Sequence, residues 1–194
     1  MSSTYIYDKS ITDNGDVIES EKTTDIKPKK MVLITNGTGG CGKDTFAEIL
    51  NNFVPVIKIS SIDPVKTAAG HCGWDGTKNE KDRKFLSDLK IAMTEYNDAP
   101  FRYLSESYAW FKNSNFVVKN ILIMDIREPE EIDRAKKAFE AKTLLIKNDR
   151  VAPITSNMAD ANVLNYDYDF VIENNGTLDE FEDTIRKWAE ENVL

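Results

Sequence analysis

The sequence predicts an α/β fold built on a mostly parallel sheet. Three observations carry this expectation. Short, nearly continuous apolar runs recur from residue 31 onward, stretches with helical periodicity alternate with them, and a glycine-rich turn joins the first run to the first helical stretch. Continuous apolar runs suit strands buried on both faces, and strand–helix alternation is the signature of crossover connections between parallel strands.

Each element follows from its local pattern. Met31 to Thr35 is the first strand run, and the helix after the glycine turn places Phe46, Ile49, Leu50 and Phe53 on one stripe. Val54 to Ile59 is the second strand, and Pro64 opens the next helix, since proline fits the first helical turn. Residues 80–97 form a helix with Phe85, Leu86, Leu89, Met93 and Tyr96 on one stripe, and residues 103–112 another with Leu104, Tyr108 and Phe111 together. Ile121 to Met124 is a third strand ending at Asp125, and Pro129 opens a helix carrying Ile132, Ala135 and Phe139. Thr143 to Ile146 and Phe170 to Ile172 complete five strands. A capping box from Thr177 to Glu180 starts the last helix, whose buried stripe is Leu178, Phe181, Ile185 and Trp188. Residues 1–30 stand apart as an N-terminal arm: Tyr5-Ile6-Tyr7 and Val17-Ile18 flank an Asn14-Gly15 turn signal, so a small hairpin and a disordered arm are both open.

Composition excludes several functions. A chain of 194 residues, 41% hydrophobic and 30% charged, suits one globular domain that buries a core without disulfides or a structural metal. A net charge of -8 disfavours long nucleic acid and anionic membrane as partners, because both need a basic surface. No apolar run approaches the ~18 residues of a membrane span. One histidine, His71, leaves almost no material for a zinc site or a Ser-His-Asp triad, and two cysteines, Cys41 and Cys72, make no disulfide framework. With a polar N-terminus, the expected location is the cytoplasm.

The segment Gly37-Thr38-Gly39-Gly40-Cys41-Gly42-Lys43-Asp44-Thr45 carries the chemistry. Between a strand and a helix, it has the context a Walker A phosphate loop requires. Its glycines admit positive φ and close approach to a ligand, its amides form an anion nest, and the helix N-terminus adds donors and partial positive charge. Lys43 is placed to reach the outer phosphates of ATP. The motif departs from the strict pattern in one place: Asp44 stands where Ser or Thr usually ligates magnesium, with Thr45 next. Asp44 is either a magnesium ligand, directly or through water, or an acidic first-turn residue favoured by the helix dipole. A GTPase is disfavoured because no Asn-Lys-X-Asp signature occurs; Lys147-Asn148-Asp149 does not match.

Gly42-Lys43-Asp44-Thr45 resembles the loops of nucleoside monophosphate kinases, most closely the phage-type deoxynucleoside monophosphate kinases and their bacterial relatives. Ile123 to Glu131 is similar to that family's strand ending in Asp-X-Arg, followed by Pro and acidic residues. Ser60 to Lys66 and Asp169 to Thr177 are similar to two further segments, in the right order. The resemblance spans about residues 31–192. It implies a three-layer P-loop NTPase fold with a five-stranded parallel sheet, a helical acceptor-binding insertion at about 62–118 and a short lid at about 148–166. It also implies transfer of the γ-phosphoryl group of ATP to a nucleoside or deoxynucleoside monophosphate, with Mg²⁺. Two other functions stay open: a P-loop kinase acting on another small metabolite, and a nucleotide-binding regulatory protein. The oligomeric state is open.

Roles then attach to residues, each beside a plainer alternative. Asp125 orients magnesium or its waters, or is a strand-end carboxylate capping a turn. Arg127 forks onto the acceptor phosphate, or pairs with Glu128, Glu130 or Glu131. Asp63 and Lys66 open the acceptor region, or form a helix-cap pair. Arg83 and Arg102 lie in the same region, Arg83 being favoured because it opens a long amphipathic helix. Trp74, Phe101, Tyr103, Tyr108 and Trp110 stack on a base or belong to the core. Arg150 is the single arginine of the lid. It clamps phosphates, alone or with Lys147, or the lid serves as a cover.

Overall fold

The computed structural model describes residues 5–11, 17–23, 30–77, 79–114, 120–151 and 163–194, the first two segments as backbone alone. Strands β1 (Tyr5–Ile11) and β2 (Val17–Thr23) pair antiparallel with Ile11 opposite Val17. The Asn14-Gly15 turn lies outside the described residues.

Five further strands form one all-parallel sheet: β3 (Met31–Asn36), β4 (Val56–Ser60), β5 (Ile121–Asp125), β6 (Lys142–Lys147) and β7 (Phe170–Glu173), in the order β4-β5-β3-β6-β7. From central β3 the chain crosses to edge strand β4 and returns to β5. It then passes to the other side of β3 for β6 and β7. This reversal around β3 makes the carboxyl end of that strand the crevice where such sheets bind ligands.

Helices α1 (Lys43–Phe53), α2 (Asp63–His71), α3 (Glu80–Asn97), α4 (Ala99–Asn113), α5 (Pro129–Phe139) and α6 (Leu178–Asn192) complete the fold. One face of the sheet gives Leu33, Ile123, Leu144 and Ile146 to a core closed by Phe46 and Leu50 of α1 and Phe181, Ile185 and Trp188 of α6. The opposite face gives Val32, Ile34, Leu122 and Met124 to Leu104 and Phe111 of α4 and Ile132, Ala135 and Phe139 of α5. Each fully buried Leu, Ile or Phe here contributes about 1.5–3 kcal/mol. Burial on both faces is why the inner strands β3 and β5 are nearly continuous apolar runs.

Two expected stripes differ in detail. Phe85 is 37% exposed and Tyr96 87%, and α3 has no fully buried residue. The reason is that α3 packs on α2 and α4, away from the sheet. On α6, Leu178 is 62% exposed because it sits in the first turn, one turn ahead of the contact made by Phe181. The capping box is present in full: Thr177 accepts from the Glu180 amide, and Glu180 accepts from that of Thr177.

Candidate active site

The site grows from the last two residues of β3, Thr35 and Asn36, both buried. Buried polar side chains need partners, and these two organise what surrounds them. The Thr35 hydroxyl donates to Asp125 at the end of β5. Asn36 donates from Nδ2 to the Arg127 carbonyl (3.2 Å) and to the Tyr168 hydroxyl (2.9 Å), and its Oδ1 accepts from the Gly37 amide (2.8 Å). Tyr168 in turn donates to the Val163 carbonyl at 2.8 Å. Burial pushes its phenol up to about 12, against the opposing pull of the Asn36 bond, so it stays a neutral donor.

The loop rises from this polar floor. Gly37, Gly40 and Gly42 have φ of 149°, 87° and 106°, a region that favours glycine. At Gly37 a Cβ would also run into the Ile146 carbonyl and the Cys41 sulfur, and at Gly42 it would lie 2.5 Å from Asn174 Nδ2. The Cys41 amide donates to the Thr38 carbonyl (3.0 Å), and Asn174 donates to the Cys41 carbonyl (2.9 Å). Helix α1 then starts with Gly42 as N-cap and no side-chain cap, so its first-turn amides are presented at the loop mouth. The Lys43 ammonium is turned back onto the loop, donating to the carbonyls of Gly37 and Thr38 (3.3 Å to the latter). Cys41 is buried, and burial pushes its thiol up against the pull of Lys43, so it is a packing residue in the loop wall.

Two carboxylates flank the mouth, Asp44 on the first turn of α1 and Asp125 at the end of β5. Lys58 of β4 pairs with both, at 2.9 Å from Asp125 Oδ2. Desolvation pulls the Lys58 ammonium down, but the two carboxylates outweigh it and hold it above its ordinary value. The pattern of β4 explains the aim. Ile57 and Ile59 join the α4/α5 core while Val56 packs on the α1 side, so Lys58 and Ser60 also face α1. Register puts Ser60 beside Asp125 and Asp125 beside Thr35.

The other predicted residues are distributed around this centre. Asp63 accepts from the Ser60 amide (2.7 Å) and lies 3.6 Å from Lys66. Arg83 and Arg102 are exposed in the first turns of α3 and α4. Arg127 follows β5, its carbonyl held by Asn36. Glu128 and Glu131 share Lys90 of α3 at 2.8 and 2.9 Å. Arg150 leaves β6 on the far side of the loop, donating to Asn148 Oδ1 (3.4 Å) and the Asn174 carbonyl (3.2 Å). A cavity of about 120 Å³ there is lined by Thr38, Ile146, Asn148, Val151 and Leu164. Most of the expected lid, residues 152–162, lies outside the described residues. Among the aromatics, Phe101 and Tyr108 pack on Phe139, and Trp110 is 56% exposed beside a hollow of about 260 Å³ between β4 and α4.

Sequence reasoning missed Lys58, Asn36, Asn174 and Lys90. Lys58 did leave a signal: a lysine inside an apolar strand run, near its carboxyl end, needs a buried-side partner. Asn36 is a polar residue at the end of a strand with no solvent face. Asn174 and Lys90 left none, since their partners are remote in sequence.

No family model matches the chain, and no curated protein matches it. Solved structures do. A Thermus thermophilus protein is 16% identical, covering 86% of this chain and 100% of its own, with a TM-score of 0.49. Shikimate kinase from Aquifex aeolicus is 15% identical over 84% of this chain and 98% of its own, TM-score 0.47. Dephospho-CoA kinase from Campylobacter jejuni is 17% identical over 84% and 97%, TM-score 0.47. Among the described residues, no helix is long and apolar enough to cross a membrane.

Proposed function

We propose that the chain is an ATP-dependent phosphotransferase that moves the γ-phosphoryl group of ATP to a nucleoside or deoxynucleoside monophosphate. One observation carries this reading. At the carboxyl end of the central strand, three glycines at positive φ turn the backbone from Gly37 to Gly42 into the uncapped start of α1, with Lys43 and two carboxylates at its mouth. That arrangement suits a polyphosphate: amides and a helix N-terminus for its oxygens, an ammonium for its outer charge.

The donor set fits magnesium. Among the described residues no three His, Cys, Asp or Glu side chains gather as a metal cluster, but magnesium characteristically takes one or two carboxylates and completes its shell with phosphate oxygens and water. Asp44 and Asp125 already converge on one cation, the Lys58 ammonium. They are the residues that would hold magnesium, which supplies charge neutralisation on the phosphates when bound. The protein's part is positioning and electrostatics. The loop amides fix the polyphosphate. Lys43 exchanges the Gly37 and Thr38 carbonyls for phosphate oxygens. Thr35 holds Asp125 in its rotamer. Arg127, two residues beyond Asp125, supports the acceptor phosphate, with Asp63, Lys66, Arg83 and Arg102 further along the acceptor side. Arg150, fastened to Asn148 and Asn174, covers the nucleotide side of the loop.

A coupled assay for ADP across the common ribo- and deoxyribonucleoside monophosphates tests the proposal. ADP formation should depend on one or a few of them and fall by about 10²–10³ in Lys43→Ala. Tight ATP binding with no acceptor-dependent turnover across the panel would refute it.

A further inference from the structure

We infer that Lys58 is the resident counter-cation of Asp44 and Asp125, the group that a divalent cation has to displace in order to bind there. The inference rests on the phosphotransferase reading for the purpose of the site, and on geometry for its chemistry.

Lys58 lies on a strand of the parallel sheet, so its backbone is fixed and its four-carbon stem determines its reach. It pairs with Asp44 from one side of the mouth and with Asp125 from the other. Asp125 Oδ1 accepts from Thr35 and Oδ2 faces Lys58, so the side-chain oxygens of Asp125 are both engaged. Lys43, the other ammonium at the mouth, donates to the Gly37 and Thr38 carbonyls. Lys58 pairs with both acids at once. The side chain of Asp125 is only 18% exposed, and removing its partner would leave a largely buried charge uncompensated.

This arrangement accounts for the unusual Asp44. Replacing the usual Ser or Thr by an acid adds a negative charge facing Asp125, and Lys58 neutralises it. A small divalent cation needs the oxygens that the ammonium now holds, and the two cations repel at that distance. Nucleotide-free protein therefore binds the bare cation poorly. Entry as a metal–nucleotide complex shifts the balance, because phosphate oxygens both complete the shell and receive the displaced ammonium. Lys58 thereby becomes a second ammonium at the mouth, beside Lys43.

Mn²⁺ binding to the nucleotide-free full chain, followed by electron paramagnetic resonance at constant ionic strength, tests this. Lys58→Gln should bind Mn²⁺ about tenfold or more tightly than wild type. Lys58→Arg, which keeps the charge, should stay close to wild type, a distinction that loss of packing alone would not produce. Equal or weaker binding by Lys58→Gln, or no binding by either protein, overturns the inference. Should Lys58→Gln fail to fold, the wild type decides. Acylation of Lys58 by an N-hydroxysuccinimide ester, read by mass spectrometry, should rise several-fold as Mn²⁺ saturates the protein, and unchanged labelling overturns the inference. Calorimetry of wild type with Mg-ATP tests the phosphotransferase reading separately, so either idea can fail alone.

Discussion

Asn174, in the link from β7 to α6, donates from Nδ2 to the carbonyl of Cys41 at 2.9 Å. The end of the edge strand therefore fastens the middle of the glycine loop. The same residue's amide donates to the Lys147 carbonyl at 2.7 Å and its carbonyl accepts from Arg150, so one asparagine ties loop, β6 and β7 together. Asn174→Ala removes the partner of a carbonyl in a buried residue, which costs about 1–3 kcal/mol. Urea unfolding should show that loss, and calorimetry with Mg-ATP should show weaker binding with a larger entropic penalty, since the loop must then be ordered by its ligand.

Gly42 is bound to the same contact. Its φ of 106° is strained for any residue with a Cβ, and that Cβ would press on Asn174 Nδ2. Gly42→Ala should cost about 1–3 kcal/mol from backbone strain. In the double variant with Asn174→Ala the steric part is relieved, so the two losses should sum to more than the double variant shows. A double-mutant cycle by denaturant melts measures this, and strict additivity would refute the coupling.

The edge of the sheet is held by charge. Asp169 accepts from the amide and hydroxyl of Thr143 (2.9 Å each) and pairs with Lys136 of α5 at 2.9 Å. Burial alone would raise its carboxyl, but the bonds from Lys136 and Thr143 outweigh it and bring it down to about 2, from an ordinary 3.8. A depressed acid stabilises the fold above its unfolded value and loses that contribution as pH falls through about 2. Asp169→Asn should therefore lose about 1.5–3 kcal/mol at neutral pH. It should also show a shallower decline than wild type on acidification below about pH 4, as followed by circular dichroism.

How far the sequence reached depends on the range of the interactions. The five strands, the loop and the Thr177–Glu180 capping box were legible because each is written in a few neighbouring residues: apolar runs, glycines, a hydroxyl three residues before an acid. The carboxylate pair was partly legible, since Asp44 belongs to the loop motif and Asp125 ends a strand run. Their shared lysine was not, because Asp44 and Asp125 meet Lys58 only after β4 pairs with β5 and α1 crosses the sheet. The stripe of α3 misled for a related reason. Periodicity gives an apolar face, but only the neighbours α2 and α4 decide how much of it is covered, and Tyr96 is left in solvent.

The same helix is tied to the site by Lys90, which serves both Glu128 and Glu131 at the start of α5. Burial pushes Glu131 up, Lys90 pulls it down, and the charge of Glu128 raises it again, to about 7; Lys90 holds Glu128 below its ordinary range. The two acids titrate as a pair around one ammonium. A raised acid contributes stability that is complete below its unfolded value, 4.5 here, and is lost as pH rises through about 7. Wild type should accordingly lose stability between about pH 4.5 and 7, and Glu131→Gln should flatten that decline, in thermal melts across the range. Lys90→Met should do the opposite of rescue, destabilising by about 1–3 kcal/mol at neutral pH by leaving the acid pair without its cation.

Lys43 presents two separable jobs. Its ammonium bonds the Gly37 and Thr38 carbonyls in contacts that are only part-buried, so water can take its place. Lys43→Ala should therefore change unfolding free energy by no more than about 1 kcal/mol. With nucleotide, the proposed role is to meet charge that develops on the transferring phosphoryl group. Loss of one preorganised donor of this kind lowers turnover by about 10²–10³. The expected pattern is a large fall in kcat with a smaller change in KM for ATP, because the amides of the loop still bind the polyphosphate. A variant that instead kept kcat and lost only affinity would assign Lys43 to ground-state binding. One that lost folding stability along with activity would assign it to the loop itself.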